Sequence, residues 1–363
     1  MIELKDLYNK ILDFSNLNNE EGMFLYNRAP FEELIFVADE IRKVKKPGHM
    51  VTWQIDRNIN ITNVCVSGCT FCNFHRKLND EGTFITTIDE YKQKIDELYR
   101  LGGNQVLLQG GCHPKLRLDY YVSLFKELKS LYPTLRLHAL SPPEIVHLAR
   151  LERKSYRFIL EELVDAGLDS LPGAGAEILI DRVREQISPG KCKAEDWLAV
   201  MKEAHQMGIL TSATMMFGHI ETPEERIEHL LKIRDLQHEK PVNTPGFKAF
   251  IPWPFQDEGT VLQEKYQVKN NVSSREYIKA IAISRILLNN IENIQASLLT
   301  VGENIAQLCL HAGANDLGSV MIEENVVSSA GSKNRYDSRN MQRIIRGAGF
   351  EPKLRDQGYG MIN

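Results

Sequence analysis

The feature that most constrains the fold is an alternation of strand-like and helix-like segments, which begins at residue 59. Short apolar runs rich in β-branched residues are each followed by a segment with the spacing of an amphipathic helix. We predict eight strands from these runs, at residues 59–64, 105–109, 135–140, 168–171, 211–217, 247–251, 293–298 and 314–320. Parallel strands joined by helices form an α/β sheet, and eight of them close a barrel. The sequence therefore predicts an α/β fold, a (βα)8 TIM-type barrel with N-terminal helical and C-terminal extensions.

Local signals mark the starts of three helices. Thr87, Thr222 and Ser273 are each followed three residues later by glutamate, which is the pattern of a capping box. The polar stretch 256–274 is predicted to be a loop, and a further helix is expected near 338–346. These signals place helices between the predicted strands, as a barrel requires.

The two ends of the chain lie outside the predicted barrel. We divide the chain into an N-terminal helical extension at 1–50, a barrel at 51–320 and a C-terminal extension at 321–363. We expect no membrane span and no signal peptide, because no long apolar run is present and the start lacks a basic segment followed by an apolar one. The net charge of −4 provides no basic field for a nucleic acid. A cytoplasmic protein without nucleic-acid or membrane partners is therefore expected.

Three cysteines follow directly on the first predicted strand. Cys65, Cys69 and Cys72 have the spacing C-x3-C-x2-C. Three thiolates on one short loop can hold three irons of a [4Fe–4S] cluster. The fourth iron is then free to chelate the amino and carboxylate groups of S-adenosyl-L-methionine, and Phe71 offers an apolar surface beside the adenine. The sequence thus predicts two cofactors, the cluster and S-adenosylmethionine.

A zinc site is the alternative for the same loop. His75 lies three residues after Cys72, so the three cysteines and His75 could form a Cys3His tetrahedron in a binding module without turnover. Structural zinc usually serves small domains that need the metal to fold, and this chain is much longer. The remaining cysteines are isolated in the sequence and are interpreted as small core or pocket residues: Cys112, Cys192 and Cys309.

The cysteine spacing resembles the signature of the radical S-adenosylmethionine (radical SAM) superfamily. Gln109-Gly110-Gly111 resembles the glycine motif of that superfamily, whose backbone holds the methionyl amino group. A side chain at Gly111 is therefore expected to push against the methionyl group. The resemblance also implies cofactor contacts at the ends of later strands, at Ser141, Glu177, Met216 and Ile251. The alternatives are that Met216 and Ile251 are core residues and that Glu177 is a solvated residue at the start of the following helix. Glu177 would bind the ribose or the amino group, and Lys191 either pairs with the methionyl carboxylate or is a surface lysine.

Within the superfamily, the strings at strand ends resemble the futalosine-pathway enzymes of menaquinone biosynthesis. The strings at 218–226 and 251–256 are most similar to those of the cyclic dehypoxanthinyl futalosine synthases. The resemblance implies that dehypoxanthine futalosine is the substrate. A 5′-deoxyadenosyl radical would take the hydrogen of its ribose 4′ carbon, and the carbon radical would add to the aryl ring. Aminofutalosine synthase and the deazaflavin synthase subunit are the alternatives, and an electron donor such as flavodoxin or ferredoxin is expected as partner.

Two residues of the later strand regions are candidates for catalysis. His219 follows the fifth predicted strand and Asp316 lies in the eighth. Either could contact the substrate or accept the proton released at the end of the reaction. The structural alternatives are that His219 is a packed histidine and that Asp316 caps a helix.

Overall fold

Residues 56–294 provide seven strands that pair in chain order, all parallel, in the computed structural model of the chain. The structure describes residues 2–323, 325, 328–331 and 334–362. The ten strands among them are β1 Met50–Gln54, β2 Asp56–Asn60, β3 Gln105–Gln109, β4 Arg136–Ala139, β5 Ser170–Leu171, β6 Leu210–Phe217, β7 Phe247–Pro254, β8 Asn293–Ile294, β9 Asp316–Ser319 and β10 Glu351–Leu354.

The helices of the described residues lie before, between and after these strands. They are α1 Leu4–Leu12, α2 Asn19–Arg28, α3 Phe31–Lys45, α4 Ile88–Arg100, α5 Leu118–Leu131, α6 Pro142–Glu152, α7 Tyr156–Ala166, α8 Asp181–Ile187, α9 Ala194–Gln206, α10 Pro223–Glu239, α11 Val261–Tyr266, α12 Ser274–Leu287, α13 Leu298–Val301, α14 Glu303–Leu310 and α15 Ser338–Gly347. None of the helices in the described ranges is both long enough and apolar enough to cross a membrane.

Strands β8, β9 and β1 close the sheet into a barrel. Gln295, the residue after β8, forms a single bridge to Asp316 of β9, and β9 pairs in parallel with β1. β1 runs on into β2, the first strand of the seven-stranded sheet. The closure continues after the end of β9. There the amide N–H groups of Val320 and Ile322 donate to the carbonyl oxygens of Gln54 and Asp56, each at 3.1 Å. The predicted α/β barrel is thus confirmed, with the last strand joined through a separate three-stranded sheet.

Several predicted strand bounds are wrong, and each error has a physical reason. The first strand lies at β2 rather than at 59–64, because polar side chains of β2 face the barrel interior and hide the apolar pattern. β5 and β8 have only two residues each, so the apolar runs at 168–171 and 293–298 are mostly irregular backbone. The loop predicted at 256–274 contains the short helix α11, whose N-cap Thr260 accepts a hydrogen bond from the Gln263 N–H.

The predicted helix starts are confirmed. Thr87 and Thr222 form complete capping boxes at α4 and α10, with side-chain and backbone hydrogen bonds in both directions. Ser273 caps α12 by accepting from the Glu276 N–H at 3.2 Å. The helix expected near 338–346 is α15, capped by Asp337. Local capping chemistry thus fixed the positions of these helices.

The first and last segments of the chain pack against the barrel. Leu25, Leu34 and Ile41 of the N-terminal helices are fully buried, with α3 packed on α12 and α2 on α10. β10 pairs with β1, which brings the residues after it to the amino-terminal end of β2. The cysteine loop follows the opposite, carboxyl-terminal end of β2. The division into three parts at residues 50 and 320 stays a prediction.

Candidate functional site

One cavity of about 410 Å3 runs from the cysteine loop into the barrel interior. A volume of this size suits a small-molecule site. Its lining includes ten of the predicted site residues: Cys65, Cys69, Phe71, Cys72, Gln109, Gly110, Gly111, Ser141, Glu177 and Ile251. We call it the barrel cavity.

The cysteine loop is fixed by backbone hydrogen bonds to its surroundings. The Cys65 N–H donates to the Arg76 carbonyl at 2.9 Å, so the two ends of the loop are tied together. The Val66 N–H donates to the carbonyl of Cys112 at 3.1 Å, and the Thr70 N–H to that of Ile187 at 2.8 Å. The three thiols are therefore presented to the cavity by a loop that is bound to the segment after β3 and to the end of α8.

Hydrogen-bond donors surround the first of these thiols. Cys65 Sγ accepts from the backbone N–H groups of Ser67 at 3.4 Å and Cys112 at 3.3 Å. The Cys112 thiol and these N–H groups lower the pKa of Cys65 and so favour its thiolate. Cys112 is thus not isolated, as its sequence position suggested, but lies against a predicted cluster ligand. Burial raises the pKa of Cys69 to about 12, against the effect of the nearby Lys191 charge.

These thiols fit a [4Fe–4S] cluster. In such a cluster each thiolate binds its own iron, and N–H donors to sulfur stabilise the charge. A zinc ion instead needs its ligands to converge on one point. Among residues that the structure describes, no three His, Cys, Asp or Glu side chains are grouped to hold one ion. The fourth ligand of the zinc alternative, His75, has its Nδ1 atom 2.8 Å from the Cys72 carbonyl oxygen.

The glycine motif packs tightly on the start of the cysteine loop. A Cβ atom on Gly111 would lie 2.1 Å from the Val64 carbonyl oxygen and 2.7 Å from the Cys65 Cβ. A side chain at this position would therefore displace the cysteine loop itself. The expectation that it would push against the methionyl group stays a prediction. The neighbouring Gly110 N–H donates to Glu144 at 3.2 Å. Burial raises the pKa of Glu144 to about 8.

An ion pair stands beside the cysteine loop. Lys191 Nζ lies 2.5 Å from Glu177 Oε1, and the two side chains are only 14% and 5% exposed. The same ammonium lies 5.1 Å from the centroid of the Phe71 ring, so Lys191 is not a surface lysine. Glu177 has a φ of 44°, and the Met216 N–H donates to its carbonyl at 3.0 Å. A cation and an anion held together here match the two charged groups of an amino acid.

Three predicted site residues do not lie among the described residues that line the cavity: Met216, His219 and Asp316. Met216 is fully buried, and its link to the site is the backbone N–H that donates to the Glu177 carbonyl. His219 Nε2 lies 3.1 Å from the Met216 carbonyl oxygen. Asp316 is bound by Arg355 and by the Thr52 hydroxyl. It lies in β9 and caps no helix. Their predicted roles in cofactor binding and catalysis stay predictions, without support from their placement.

Sequence reasoning missed several polar residues of the cavity. Asn58 lies on β2, and Arg355 and Tyr359 follow β10, near the end of the chain. No motif marks them, and only the tertiary fold brings the last residues of the chain to the barrel interior. The alternation of polar residues in β2 was the one available signal for an inward-facing polar strand.

Comparisons with known proteins agree with this site. Residues 59–233 match the family described as "Radical SAM superfamily", and residues 244–363 match the family described as "CofH/MqnC C-terminal region". Over 360 residues the chain is 40% identical to cyclic dehypoxanthine futalosine synthase of Streptomyces coelicolor, covering 98% of this chain and 88% of that protein. The chain belongs to the radical SAM superfamily. Enzymes of this superfamily use a [4Fe–4S] cluster and S-adenosylmethionine, which are the two cofactors that the cysteine spacing predicts.

Two further relatives of this radical SAM enzyme carry names that differ from each other. It is 37% identical to cyclic dehypoxanthine futalosine synthase of Halalkalibacterium halodurans over 99% of this chain and 95% of that protein. It is 38% identical to 5-amino-6-(D-ribitylamino)uracil–L-tyrosine 4-hydroxyphenyl transferase of Methanococcoides burtonii, over 94% of this chain and 95% of that protein. The crystal structure of methylornithine synthase has the same fold, with a TM-score of 0.70 at 20% identity, over 97% of this chain and 98% of that one.

Proposed function

We propose that this radical SAM enzyme converts dehypoxanthine futalosine to its cyclic form in menaquinone biosynthesis. The observation that carries the proposal is the similarity, across nearly the whole chain, to two proteins named for that reaction. The barrel cavity supports it, because one continuous space joins the cysteine loop to the barrel interior. A cyclisation within one molecule needs a single substrate site beside the cofactor, and this cavity provides one.

When bound, the cluster and S-adenosylmethionine would supply the radical chemistry by which hydrogen leaves the ribose 4′ carbon and the ring closes onto the aryl group. Cys65, Cys69 and Cys72 would hold three irons. Lys191 would bind the methionyl carboxylate and Glu177 the amino group, since their ion pair faces the cysteine loop. These residues fix the cofactor at one end of the cavity, which leaves the barrel interior for the substrate.

Part of the cavity lining is apolar. Phe71, Ile251, Trp253 and Leu298 line the cavity with side chains that carry no hydrogen-bonding group, apart from the Trp253 indole N–H. Such walls hold an aryl ring and exclude water from a reactive intermediate. A site of this kind raises the rate by holding the reacting atoms within ~3–4 Å of each other.

We further propose that a flavodoxin or ferredoxin supplies the electron and that the enzyme works in the cytoplasm. All six cysteines are free, and the three cluster ligands must remain reduced to bind iron. The net charge of −4 supports the absence of a nucleic-acid partner.

The test is an anaerobic incubation of the iron-loaded, reduced enzyme with S-adenosylmethionine and one candidate substrate at a time, followed by mass spectrometry. Dehypoxanthine futalosine should give a product lighter by two hydrogens together with 5′-deoxyadenosine, and intact futalosine should give little product. Consumption of tyrosine together with 5-amino-6-(D-ribitylamino)uracil would instead assign the transferase activity. An adduct of the adenosyl group with an enol ether would assign aminofutalosine synthase activity.

A further inference from the structure

Trp253 carries the largest aromatic side chain among the described residues that line the barrel cavity. It lies near the carboxyl-terminal end of β7, and the cysteine loop follows the same end of β2. The segment after β7 contacts that loop directly. The Leu262 N–H donates to the Thr70 carbonyl at 2.8 Å, and Asn73 Nδ2 donates to the Glu258 carbonyl at 3.0 Å. Trp253 therefore lies at the same end of the barrel as the cysteine loop.

The pleat of β7 directs the indole ring into the cavity. Ala249, Ile251 and Trp253 alternate along the strand and all line the cavity, whereas the two residues between them do not. This is the pattern of one face of a strand. Trp253 is also partly exposed, while the other two tryptophans of the chain, Trp53 and Trp197, are 4% and 0% exposed. The indole of Trp253 thus has accessible surface within the cavity.

A rigid stretch of backbone holds this indole. Trp253 lies between Pro252 and Pro254, whose rings restrict the backbone φ angle. Tyr277 ties the stretch to the segment after β8, since its hydroxyl donates to the Pro252 carbonyl at 2.9 Å and accepts from the Ser297 N–H at 2.8 Å. A side chain that is already fixed in this way loses little conformational entropy when a ligand binds.

Trp253 and the cysteine loop stand on different sides of the barrel. β7 is separated from β2 by β8, β9 and β1 in one direction and by β3 to β6 in the other. The cysteine loop has an aromatic surface of its own in Phe71, whose ring lies 5.1 Å from the Lys191 ammonium. The indole is therefore available to a second ring system across the cavity, and its broad face suits an aromatic ring.

We propose that Trp253 is the platform on which the aryl ring of the substrate packs. An offset-stacked or edge-to-face pair of rings contributes binding beyond the apolar area that it buries. Under the proposed function, on which the inference rests for the identity of the ligand, this ring is the one that the ribose 4′ carbon joins. A platform at the cysteine-loop end keeps both reacting parts of the substrate beside the cofactor, as a positioned reaction requires.

The test compares Trp253→Leu and Trp253→Phe with Tyr266→Leu in the full-length, iron-loaded enzyme. Tyr266 is the control, because it is an aromatic residue of the segment after β7 that is 63% exposed and lies outside the cavity lining. Dehypoxanthine futalosine is titrated calorimetrically with S-adenosylmethionine present and without a reductant, so that no turnover occurs. Trp253→Leu should raise the Kd about tenfold. Trp253→Phe keeps a ring and should lie between Trp253→Leu and the control, which should match the unsubstituted enzyme.

A substrate analogue separates direct contact from a structural effect. The unsubstituted enzyme should bind an analogue with a cyclohexyl ring in place of the aryl ring about tenfold more weakly. Trp253→Leu should bind the analogue and dehypoxanthine futalosine with similar Kd values, because the ring pair is already lost. Iron content and the Kd for S-adenosylmethionine should equal those of the control. A raised Kd for S-adenosylmethionine with an unchanged Kd for dehypoxanthine futalosine would make Trp253 a cofactor contact and overturn the inference.

Turnover provides a second measurement. With reductant added, Trp253→Leu should still release 5′-deoxyadenosine but should form less cyclic product per 5′-deoxyadenosine than Tyr266→Leu, because the aryl ring is no longer held beside the 4′ carbon. Equal Kd values for dehypoxanthine futalosine in Trp253→Leu and Tyr266→Leu, together with equal product ratios, would show that Trp253 does not hold the ring.

Failure of the proposed function gives a different result. In that case the unsubstituted enzyme would not turn over dehypoxanthine futalosine, and the platform would be tested by titration with L-tyrosine, the aryl-bearing substrate of the transferase alternative. Weaker binding of L-tyrosine to Trp253→Leu than to Tyr266→Leu would support an aryl platform under that activity. Equal binding to the two variants, or no binding to the unsubstituted enzyme, would overturn the inference.

Discussion

Arg355 and Asp316 are joined by two hydrogen bonds inside the barrel, Nε to Oδ2 at 2.6 Å and Nη2 to Oδ1 at 3.0 Å. The side chains are 4% and 0% exposed. This pair ties the C-terminal segment to β9, although the two residues lie 39 positions apart in the sequence.

Replacing Arg355 should therefore destabilise the protein. Arg355→Met leaves the Asp316 carboxylate buried without its partner, which typically costs ~3–5 kcal/mol of unfolding free energy. The control is Arg343→Met, which breaks a pair with Glu303 whose side chains are 59% and 32% exposed. Exposed pairs contribute only ~0–1 kcal/mol. Equal midpoints of urea unfolding for the two variants would contradict this role of the buried pair.

The packing of Gly111 predicts a loss of iron on substitution. Gly111→Ala places a Cβ atom 2.1 Å from the Val64 carbonyl oxygen, so the backbone leading into Cys65 must move. We expect iron per chain to fall clearly below that of the unsubstituted protein, towards the value for Cys72→Ala. Gly358→Ala is the control, because a Cβ atom there would make only ordinary contacts, 3.4 Å from Asp356 Oδ1 and 3.7 Å from Leu210 Cδ1. Normal iron content in Gly111→Ala would show that the loop accommodates the methyl group.

The buried ion pair near the cysteine loop predicts weaker cofactor binding without Lys191. Lys191→Met removes the cation proposed to bind the methionyl carboxylate, and a charge-assisted hydrogen bond of ~1.5–3 kcal/mol corresponds to a ~10- to 100-fold higher Kd. Equilibrium binding of S-adenosylmethionine to iron-loaded enzyme measures this. Lys202→Met is the control, since its side chain is 51% exposed and paired with Glu239. An unchanged Kd in Lys191→Met would exclude the proposed contact.

The neutral carboxyl group of Glu144 predicts a dependence of stability on pH. Burial raises its pKa from 4.5 to about 8, so the folded state binds a proton that the unfolded chain releases at lower pH. Stability from this group is fully present below pH 4.5, declines as the pH rises, and is lost by about pH 8. Glu144→Gln keeps the acceptor oxygen for Gly110 but cannot ionise.

The measurement is the free energy of unfolding at several pH values between 5 and 8. The unsubstituted protein should lose stability faster than Glu144→Gln, by up to ~1.4 kcal/mol per pH unit. Parallel curves for the two proteins would show that Glu144 ionises at its ordinary pH in the folded state.

The parts of the fold that depend on residues close together in the sequence were predictable from it. Thr87, Thr222 and Ser273 cap helices through contacts three residues away, so the sequence places these helix starts correctly. β1 and β10 were not predictable in this way. They pair across 301 positions, from Met50 to Glu351, and nothing local marks that contact.

The candidate site shows the same difference between contacts local in the sequence and contacts made by the tertiary fold. The spacing of the cysteines specifies a loop of nearby thiols, because chain connectivity alone keeps them together. The pairing of Glu177 with Lys191 depends on how two segments fold back on each other. His219 follows the carboxyl end of β6 as predicted, whereas Asp316 is the first residue of β9 and so lies at the opposite end of its strand. A position along the chain also does not determine which way a side chain points. The His219 side chain lies against the Met216 carbonyl and the Ile220 N–H, and Asp316 pairs with Arg355, so neither belongs to the cavity lining.

The most direct test of the proposed reaction is the fate of the hydrogen on the ribose 4′ carbon. Dehypoxanthine futalosine deuterated at that carbon is incubated anaerobically with S-adenosylmethionine and the reduced, iron-loaded enzyme, with Cys72→Ala as control. We expect one deuterium in 5′-deoxyadenosine and a cyclic product that has lost that deuterium. The control should form neither compound. Formation of 5′-deoxyadenosine without deuterium would contradict abstraction at the 4′ carbon and, with it, the proposed reaction.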